Sequence, residues 1–201
     1  MSDFTYESPF AKRWASKEML ALFSDQTKFK TWRKLWIALA RSEKNLGLPI
    51  TDEQIEELIA AQDTLNLEDA EQREKEVRHD VMAHIYAYGL QCPKAKGIIH
   101  LGATSCFVTD NTDILLMREG LLLLRKKLMA ALAALAQFAE KFKSMPQLGF
   151  THFQPAQLTT VGKRATLWMA DLLKDIDEVD FRLSRLRLRG LEGTTGSQAS
   201  F

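Results

Sequence analysis

A short stretch in the second half of the chain, GFTHFQPAQ over 149–157, combines residue types that can perform acid–base chemistry. Proline is favoured in the first turn of a helix, so Pro155 predicts that a helix starts there, with Thr151 and His152 just outside its N-terminus. Unpaired backbone N–H groups at such an end favour bound anions. A neutral histidine there can exchange a proton beside a bound carboxylate. A loop histidine or an unusual helix cap fits the same residues equally well.

A second group of titratable residues, Arg78-His79-Asp80, lies within a run of helical periodicity. At about 100° per residue, His84 falls on the apolar stripe of this run, so we interpret it as a packed core histidine. His79 points to nearly the opposite side and has a charged residue on each flank. A solvated or capping histidine and a functional one both fit this position.

A third candidate is HLGATS over 100–105, which precedes the longest predicted helix. It supplies a flexible Gly102 and two hydroxyls, Thr104 and Ser105. These hydroxyls and the helix N-terminus together predict a second oxyanion pocket. Ordinary N-capping by the same side chains explains them as well.

Composition and cysteine spacing argue against several classes of function. A net charge of +1, from 27 Lys+Arg and 26 Asp+Glu, predicts no general attraction to nucleic acid or anionic lipid. Cys92 and Cys106 match no CxxC or zinc spacing, and HExxH does not occur, so we expect reduced thiols and no metal. We find no signal-peptide pattern and no apolar run near the ~20 residues of a membrane span, which predicts a cytoplasmic protein.

The elements that must position these residues are predicted to be all-α. Ser16 and Asp25 are predicted N-caps of the first two helices, and Gly47 is predicted to end the second. Thr51 opens a third helix through a capping-box pattern. A single fourth helix is predicted over 67–89.

Two longer helices are predicted in the second half. A heptad pattern runs over about 111–143, and a second long helix is predicted over about 155–189, antiparallel to the first. The apolar stripe of the first is too wide for one partner, so further helices or other subunits must cover it. We therefore predict a small N-terminal helical domain over 1–104 and the truncated first part of an elongated helical bundle over 105–201.

Five motifs follow one another along the chain: KRWAS over 12–16, RHDVMAH over 78–84, HLGATS over 100–105, THFQPAQ over 151–157 and EGTTGSQASF over 192–201. Together and in this order they resemble the motifs of the adenylosuccinate lyase family, within the fumarase/aspartase superfamily. The resemblance covers essentially the whole chain.

This resemblance implies β-elimination of fumarate from adenylosuccinate, giving AMP, and from SAICAR, giving AICAR, in purine nucleotide biosynthesis, without a cofactor. A base removes a proton next to a carboxylate, and an acid protonates the leaving nitrogen. His152 matches the general acid. Trp14 stands where the family usually has a tyrosine. The implied substrate-binding residues are Arg13, Trp14, Arg78, His79, Asp80, Thr104, Ser105 and Thr151.

The family's catalytic serine lies on a mobile loop with a signature like SSAMPYKRNP, which is not found in these 201 residues. The remaining bundle helices and the C-terminal helical domain are also not found. The chain alone is therefore expected to be inactive. Family members are homotetramers whose active sites draw on several subunits. The alternatives are a non-catalytic helical oligomerisation or binding fragment, and a related enzyme such as argininosuccinate lyase, which RHDVMAH and TTVGKR disfavour.

Overall fold

The computed structural model describes residues 6–198, so the last three residues of EGTTGSQASF lie outside the described residues. Helices dominate, in line with the predicted helical fold, and one small two-stranded sheet accompanies them. A π-helical turn, Phe10–Trp14, comes first. The elements that follow are α1 Lys17–Leu22, α2 Asp25–Asn45, α3 Asp52–Ala61, α4 Leu67–Val77, α5 Asp80–Gln91, α6 Ser105–Lys141, β1 Pro146–Thr151, β2 Gln154–Thr160 and α7 Val161–Arg185.

The helix ends follow the local capping residues. Ser16 caps α1 as predicted, but the cap of α2 is Ser24, whose hydroxyl accepts from the Thr27 backbone, so the prediction of Asp25 was one residue late. The capping box at Thr51 is confirmed, because its hydroxyl and the Gln54 side chain each bond the other's backbone N–H.

The predicted fourth helix is two helices, and this correction bears directly on the candidate site. Arg78 ends α4 in the left-handed conformation, at φ +53°, and its N–H donates to Glu74 O. His79 is extended and caps α5, so the chain turns between the two helices. The break between α4 and α5 could not be predicted from apolar periodicity, because the helical pattern continues on both sides and nothing in it marks Arg78 as left-handed.

Contacts divide the chain into two compact units. Among the described residues, one unit contains 6–116 together with 188–198, and the other is Met117–Arg187. In the first unit, α2, α3 and α5 enclose an apolar core. Its largest fully buried side chains include Trp32 and Trp36 from α2 and Tyr88 from α5. Burying such side chains contributes roughly 1.5–3 kcal/mol each.

A buried guanidinium ties this core to the loop that leads into α4. Arg33 on α2 is almost completely buried and lies over the Tyr88 ring, 4.2 Å from its centroid. Burying a polar group costs free energy unless it is hydrogen-bonded, and the Arg33 guanidinium donates to four acceptors. Its acceptors are the carbonyl oxygens of Ala61 and Thr64 and the side-chain oxygens of Gln91 and Asn66.

In the second unit, α6 and α7 run antiparallel, as predicted. Arg125 on α6 forms a two-pronged ion pair with Asp180 near the end of α7. At the other end, Gly162 at the start of α7 packs closely on the carbonyl of Ala139 in α6 and on the turn after α6, where a Cβ would lie 2.7 Å from Lys143 Cα. The helix α6 has 37 residues, which corresponds to about 55 Å.

The segment connecting α6 to α7 corrects the prediction of a helix from Pro155. It is a β-hairpin in which Phe150 pairs with Pro155 and Thr151 with Gln154. The helix α7 begins only at Val161, where the Thr160 hydroxyl accepts from the Lys163 backbone. A two-stranded sheet is all edge, and an edge strand tolerates a proline. The helix also ends earlier than predicted, at Arg185 rather than near Arg189.

After α7 the chain is held by the first unit. The Asn111 side chain on α6 accepts from the Arg189 and Gly190 backbones and donates to Gly190 O. Asp110 pairs with the Arg189 guanidinium. This clamp fixes the start of the segment that carries GTTGSQ. Within residues 6–198, no helix is both long and apolar enough to cross a membrane.

Candidate active site

The motif at 78–80 forms the turn between α4 and α5. The His79 Nδ1 atom accepts from the Met82 backbone N–H at 3.4 Å, so this imidazole is a helix cap, one of the two possibilities that the sequence left open. Asp80 Oδ1 accepts from the Val81 backbone and lies 3.6 Å from His79 Nδ1. Capping occupies Nδ1 and leaves the Nε2 side of the ring free for a second contact.

That second contact joins two of the sequence motifs. His79 Nε2 lies 3.3 Å from the Ser105 hydroxyl, the first residue of α6, although 26 positions separate them in the chain. Thr104 immediately precedes α6, and its carbonyl accepts from the Phe107 backbone. Hydroxyls, an imidazole and a helix N-terminus therefore come together, and these are groups that bind anionic oxygens.

His100, which the sequence analysis did not single out, belongs to the same neighbourhood. Its Nδ1 accepts a hydrogen bond of 2.9 Å from the Trp36 indole N–H, and its backbone is left-handed at φ +64°. Burial, followed by the electrostatic influence of the nearby His79, lowers the pKa of His100 to about 4. His100 heads the HLGATS motif, which was the available signal, but its partner lies 64 positions away.

His84 is confirmed as a core histidine. Its ring stacks on Phe29 at 3.8 Å between centroids and meets Trp32 edge to face. Burial, and then the charge of Arg33, lower the pKa of His84 to about 4, so the imidazole is neutral near pH 7.

Two cavities adjoin the turn at residues 78–80. One, of about 480 Å³, is lined by four charged residues, Glu71, Glu74, Lys75 and Arg78. The other, of about 500 Å³, has His79 at its rim beside mostly apolar neighbours, among them Val77 and Met82. Residues from the loop between the two helices therefore reach space that a small molecule can enter.

Arg13 and Trp14 lie in the π-helical turn at the start of the described chain. Both are exposed, and 76% of the Trp14 surface is accessible. An exposed indole of this size fits a contact with a ligand or another protein surface better than a role in the local core.

His152 lies at the tip of the β-hairpin. His152 and Phe153 are both left-handed, at φ +49° and +59°, and form the two-residue turn that Thr151 and Gln154 close. Both side chains of the turn are exposed. The expected placement beside a helix N-terminus was wrong, because Pro155 lies in β2. The hairpin, not a helix dipole, presents this imidazole. His152 and Thr151 belong to the second compact unit, and the other candidate residues belong to the first.

The comparison with known families now decides the identity of the fold. A family model described as "Lyase" matches residues 3–201. The chain belongs to this lyase family. Solved structures of similar fold include a fumarate lyase from Mesorhizobium sp. BNC1, with a TM-score of 0.78 and 25% identity, covering 98% of this chain and 46% of that one. A 3-carboxy-cis,cis-muconate lactonizing enzyme from Pseudomonas putida has a TM-score of 0.81 and 25% identity, over 94% and 44%.

Curated members of the lyase family are more similar still. Adenylosuccinate lyase from Saccharomyces cerevisiae is 51% identical over 205 residues, which cover 100% of this chain and 42% of that protein. The Schizosaccharomyces pombe enzyme of the same name is 53% identical over the same shares. The adenylosuccinate lyase of Schistosoma mansoni is 47% identical, and the match covers 98% of this chain and 41% of that protein. The chain thus spans about two fifths of the length of these lyase relatives.

Proposed function

We propose that this chain supplies the N-terminal part of an adenylosuccinate lyase, which releases fumarate from adenylosuccinate to give AMP and from SAICAR to give AICAR in purine nucleotide biosynthesis. The observation that carries this proposal is identity near one half, across the whole chain, to adenylosuccinate lyases. Two of the motifs that carry the resemblance also meet in space, because His79 of RHDVMAH contacts Ser105 of HLGATS.

The reaction needs a base, an acid and anion contacts. The base takes a proton from the carbon next to a succinyl carboxylate, electrons form the new C=C bond of fumarate, and the C–N bond breaks. The leaving nitrogen then takes a proton from the acid, for which we propose His152. An exposed imidazole on a two-residue turn suits this role, because the turn presents the ring to a bound substrate. Thr151, beside it at the turn, is proposed to help hold the substrate.

The substrate's anionic groups require cations and N–H or O–H donors. We assign binding of these groups to Arg78 and His79 at the turn and to Thr104 and Ser105 at the start of α6. Asp80, which can only accept when ionised, is assigned to the ribose hydroxyls. Arg78 and His79 line the cavities at the turn. Arg13 and Trp14 are assigned to the same task from their exposed turn.

Exposed apolar surface supports the proposal of a homotetramer. On α6, Met117, Leu124, Met129 and Phe138 remain substantially exposed, and on α7 so do Leu167, Trp168, Leu173 and Phe181. Large apolar groups in such number are typical of surfaces that meet other helices. We propose that the remaining bundle and other subunits cover them. In the proposed division, 1–104 is the N-terminal domain and 105–201 opens the bundle. The start of α6 at Ser105 supports this boundary, although the compact units divide after Leu116 and the segment from Leu188 onward contacts the first unit. A cytoplasmic location is part of the same proposal.

A chimera tests this function. Residues 1–201 replace the matched segment of the Saccharomyces cerevisiae enzyme, which gives the yeast chimera. It is expressed in a strain of that yeast that lacks adenylosuccinate lyase. Growth without added adenine is the expected result, with the parent yeast enzyme as positive control and the His152→Asn chimera as negative control. A chimera that accumulates to the level of the parent but does not support growth would contradict the proposal. Cleavage of argininosuccinate instead of adenylosuccinate by the purified chimera would favour the rival enzyme.

A further inference from the structure

The hydrogen bond between Trp36 and His100 has a definite direction. An indole N–H can only donate, so His100 Nδ1 must accept, and the distance is 2.9 Å. Trp36 is only 1% exposed, and its ring meets His100 edge to face. The neutral imidazole must therefore carry its proton on Nε2. A protonated ring would place an N–H against the indole N–H, which disfavours the cation.

The neighbouring histidine is held in the same way by a different donor. His79 Nδ1 accepts from the Met82 backbone, and its Nε2 side faces the Ser105 hydroxyl. His79 is also the side chain whose electrostatic influence acts on His100, so the two rings are neighbours. Two nearby imidazoles are thus bonded through Nδ1, and each is left with Nε2–H as its remaining donor.

We propose that Trp36 is a positioning residue of the candidate site, which holds His100 as the Nε2–H tautomer so that it matches His79 as a neutral hydrogen-bond donor. The inference rests on the proposed function for its relevance to catalysis. Trp36 lies on α2, outside every motif that carries the resemblance.

A purely structural role for Trp36 would be packing, and the helix offers a matched control. Trp32 lies one turn earlier on α2 and is equally buried, at 0% exposure. Within the described residues its indole N–H has no hydrogen-bond partner. Phenylalanine at either position removes similar volume from the same core, but only Trp36→Phe removes a hydrogen bond to an imidazole.

The direct test is ¹⁵N NMR of the chain with labelled histidine, which reports the tautomer and pKa of each ring. The wild-type chain is expected to show His100 with a protonated Nε2 near neutral pH and a pKa near the value of about 4 that burial produces. Trp36→Phe should raise the His100 pKa and mix its tautomers, while Trp32→Phe should leave both unchanged. A wild-type His100 protonated on Nδ1 would overturn the proposal even if no variant folds. Equal spectra for the two variants would do the same.

Kinetics in the yeast chimera separate this inference from the proposed function. If the N–H of His100 contacts the substrate, Trp36→Phe should raise KM about two- to tenfold, as expected for one hydrogen bond, with a smaller change in kcat. Trp32→Phe should show no such selective rise in KM. Equal KM values for the two variants would overturn the proposal. If the chimera without any further substitution folds but is inactive, the proposed function is refuted. The NMR result would still decide whether Trp36 fixes the tautomer of His100.

Discussion

At the scale of single residues, the four histidines of the chain occupy four different environments. His79 caps a helix, His84 is stacked in the core, His100 is bonded to an indole, and His152 is exposed on a turn. Helix phase was sufficient to place His84, because its neighbours are local. The environment of His100 could not be predicted in this way, since its partner comes from another helix.

The proposed acid gives the first prediction. In the yeast chimera, His152→Asn should lower kcat by roughly 10² to 10⁴-fold with little change in KM, because a proton donor acts mainly in the transition state. Asparagine is chosen because it tolerates the left-handed backbone at φ +49°. Phe153→Asn, at the other position of the turn, is the matched control and should retain most of the activity. Equal turnover for His152→Asn and wild type would refute the assignment.

Arg78 should behave as a binding residue. Arg78→Gly removes the guanidinium but keeps the left-handed end of α4, which glycine adopts readily. The loss of one charge-assisted contact should weaken AMP binding by roughly tenfold or more, measured by calorimetry on the chimera. Lys174→Ala on α7 removes one positive charge as a control. An unchanged Kd for AMP in Arg78→Gly would show that the anion pocket lies elsewhere.

At the scale of elements, most helices could be predicted because apolar periodicity and capping residues are local signals. Two features could not. The break at Arg78 depends on a left-handed residue inside a continuous helical pattern, and the hairpin depends on cross-strand pairing that short, weakly alternating strands do not reveal. Both errors affect candidate site residues, since one concerns the histidine cap of α5 and the other concerns the turn that carries His152.

The packing of α5 on α2 predicts a pH dependence of stability. The pKa of His84 is about 4 in the folded chain, against 6.5 for an ordinary histidine. Between these values the unfolded chain binds a proton that the folded chain does not, so the free energy of unfolding should fall as pH drops through this window. The free energy of unfolding, measured with urea at several pH values, should change less with pH in His84→Phe, which keeps an aromatic ring beside Phe29. An equal pH dependence of the unfolding free energy in variant and wild type would show that His84 is not its source.

The contact between α6 and α7 predicts a site where one methyl group is harmful. A Cβ at Gly162 would lie 2.7 Å from Lys143 Cα and would also press on the Ala139 carbonyl, so the helices must separate. Gly162→Ala should destabilise the chain by about 1–3 kcal/mol in urea unfolding. Gly97→Ala, where nothing lies within 4 Å of a new Cβ, is the control and should be nearly neutral. Equal stability of the two variants would show that the helix contact is loose.

At the scale of the whole molecule, the chain spans about 42% of the length of the yeast relative and leaves large apolar side chains exposed on both long helices. Sequence patterns predicted this surface, because the apolar stripe of α6 is wider than one partner can cover. They could not predict how the two compact units combine with other chains.

We expect the chain alone to self-associate through these exposed apolar side chains. Light scattering at micromolar concentration should show dimers or larger species, and a well-behaved monomer would contradict that expectation.

The most direct test of the central claim is fumarate release from adenylosuccinate, measured in parallel for the purified chain and for the purified yeast chimera. The proposal predicts that the chimera cleaves adenylosuccinate and that the chain alone stays at the no-enzyme rate, because the chain supplies only part of the site. A chimera that folds and assembles like the yeast enzyme but releases no fumarate would contradict the claim. Turnover by the isolated chain that persists after removal of host lyase would contradict the prediction that the site is incomplete without the remainder.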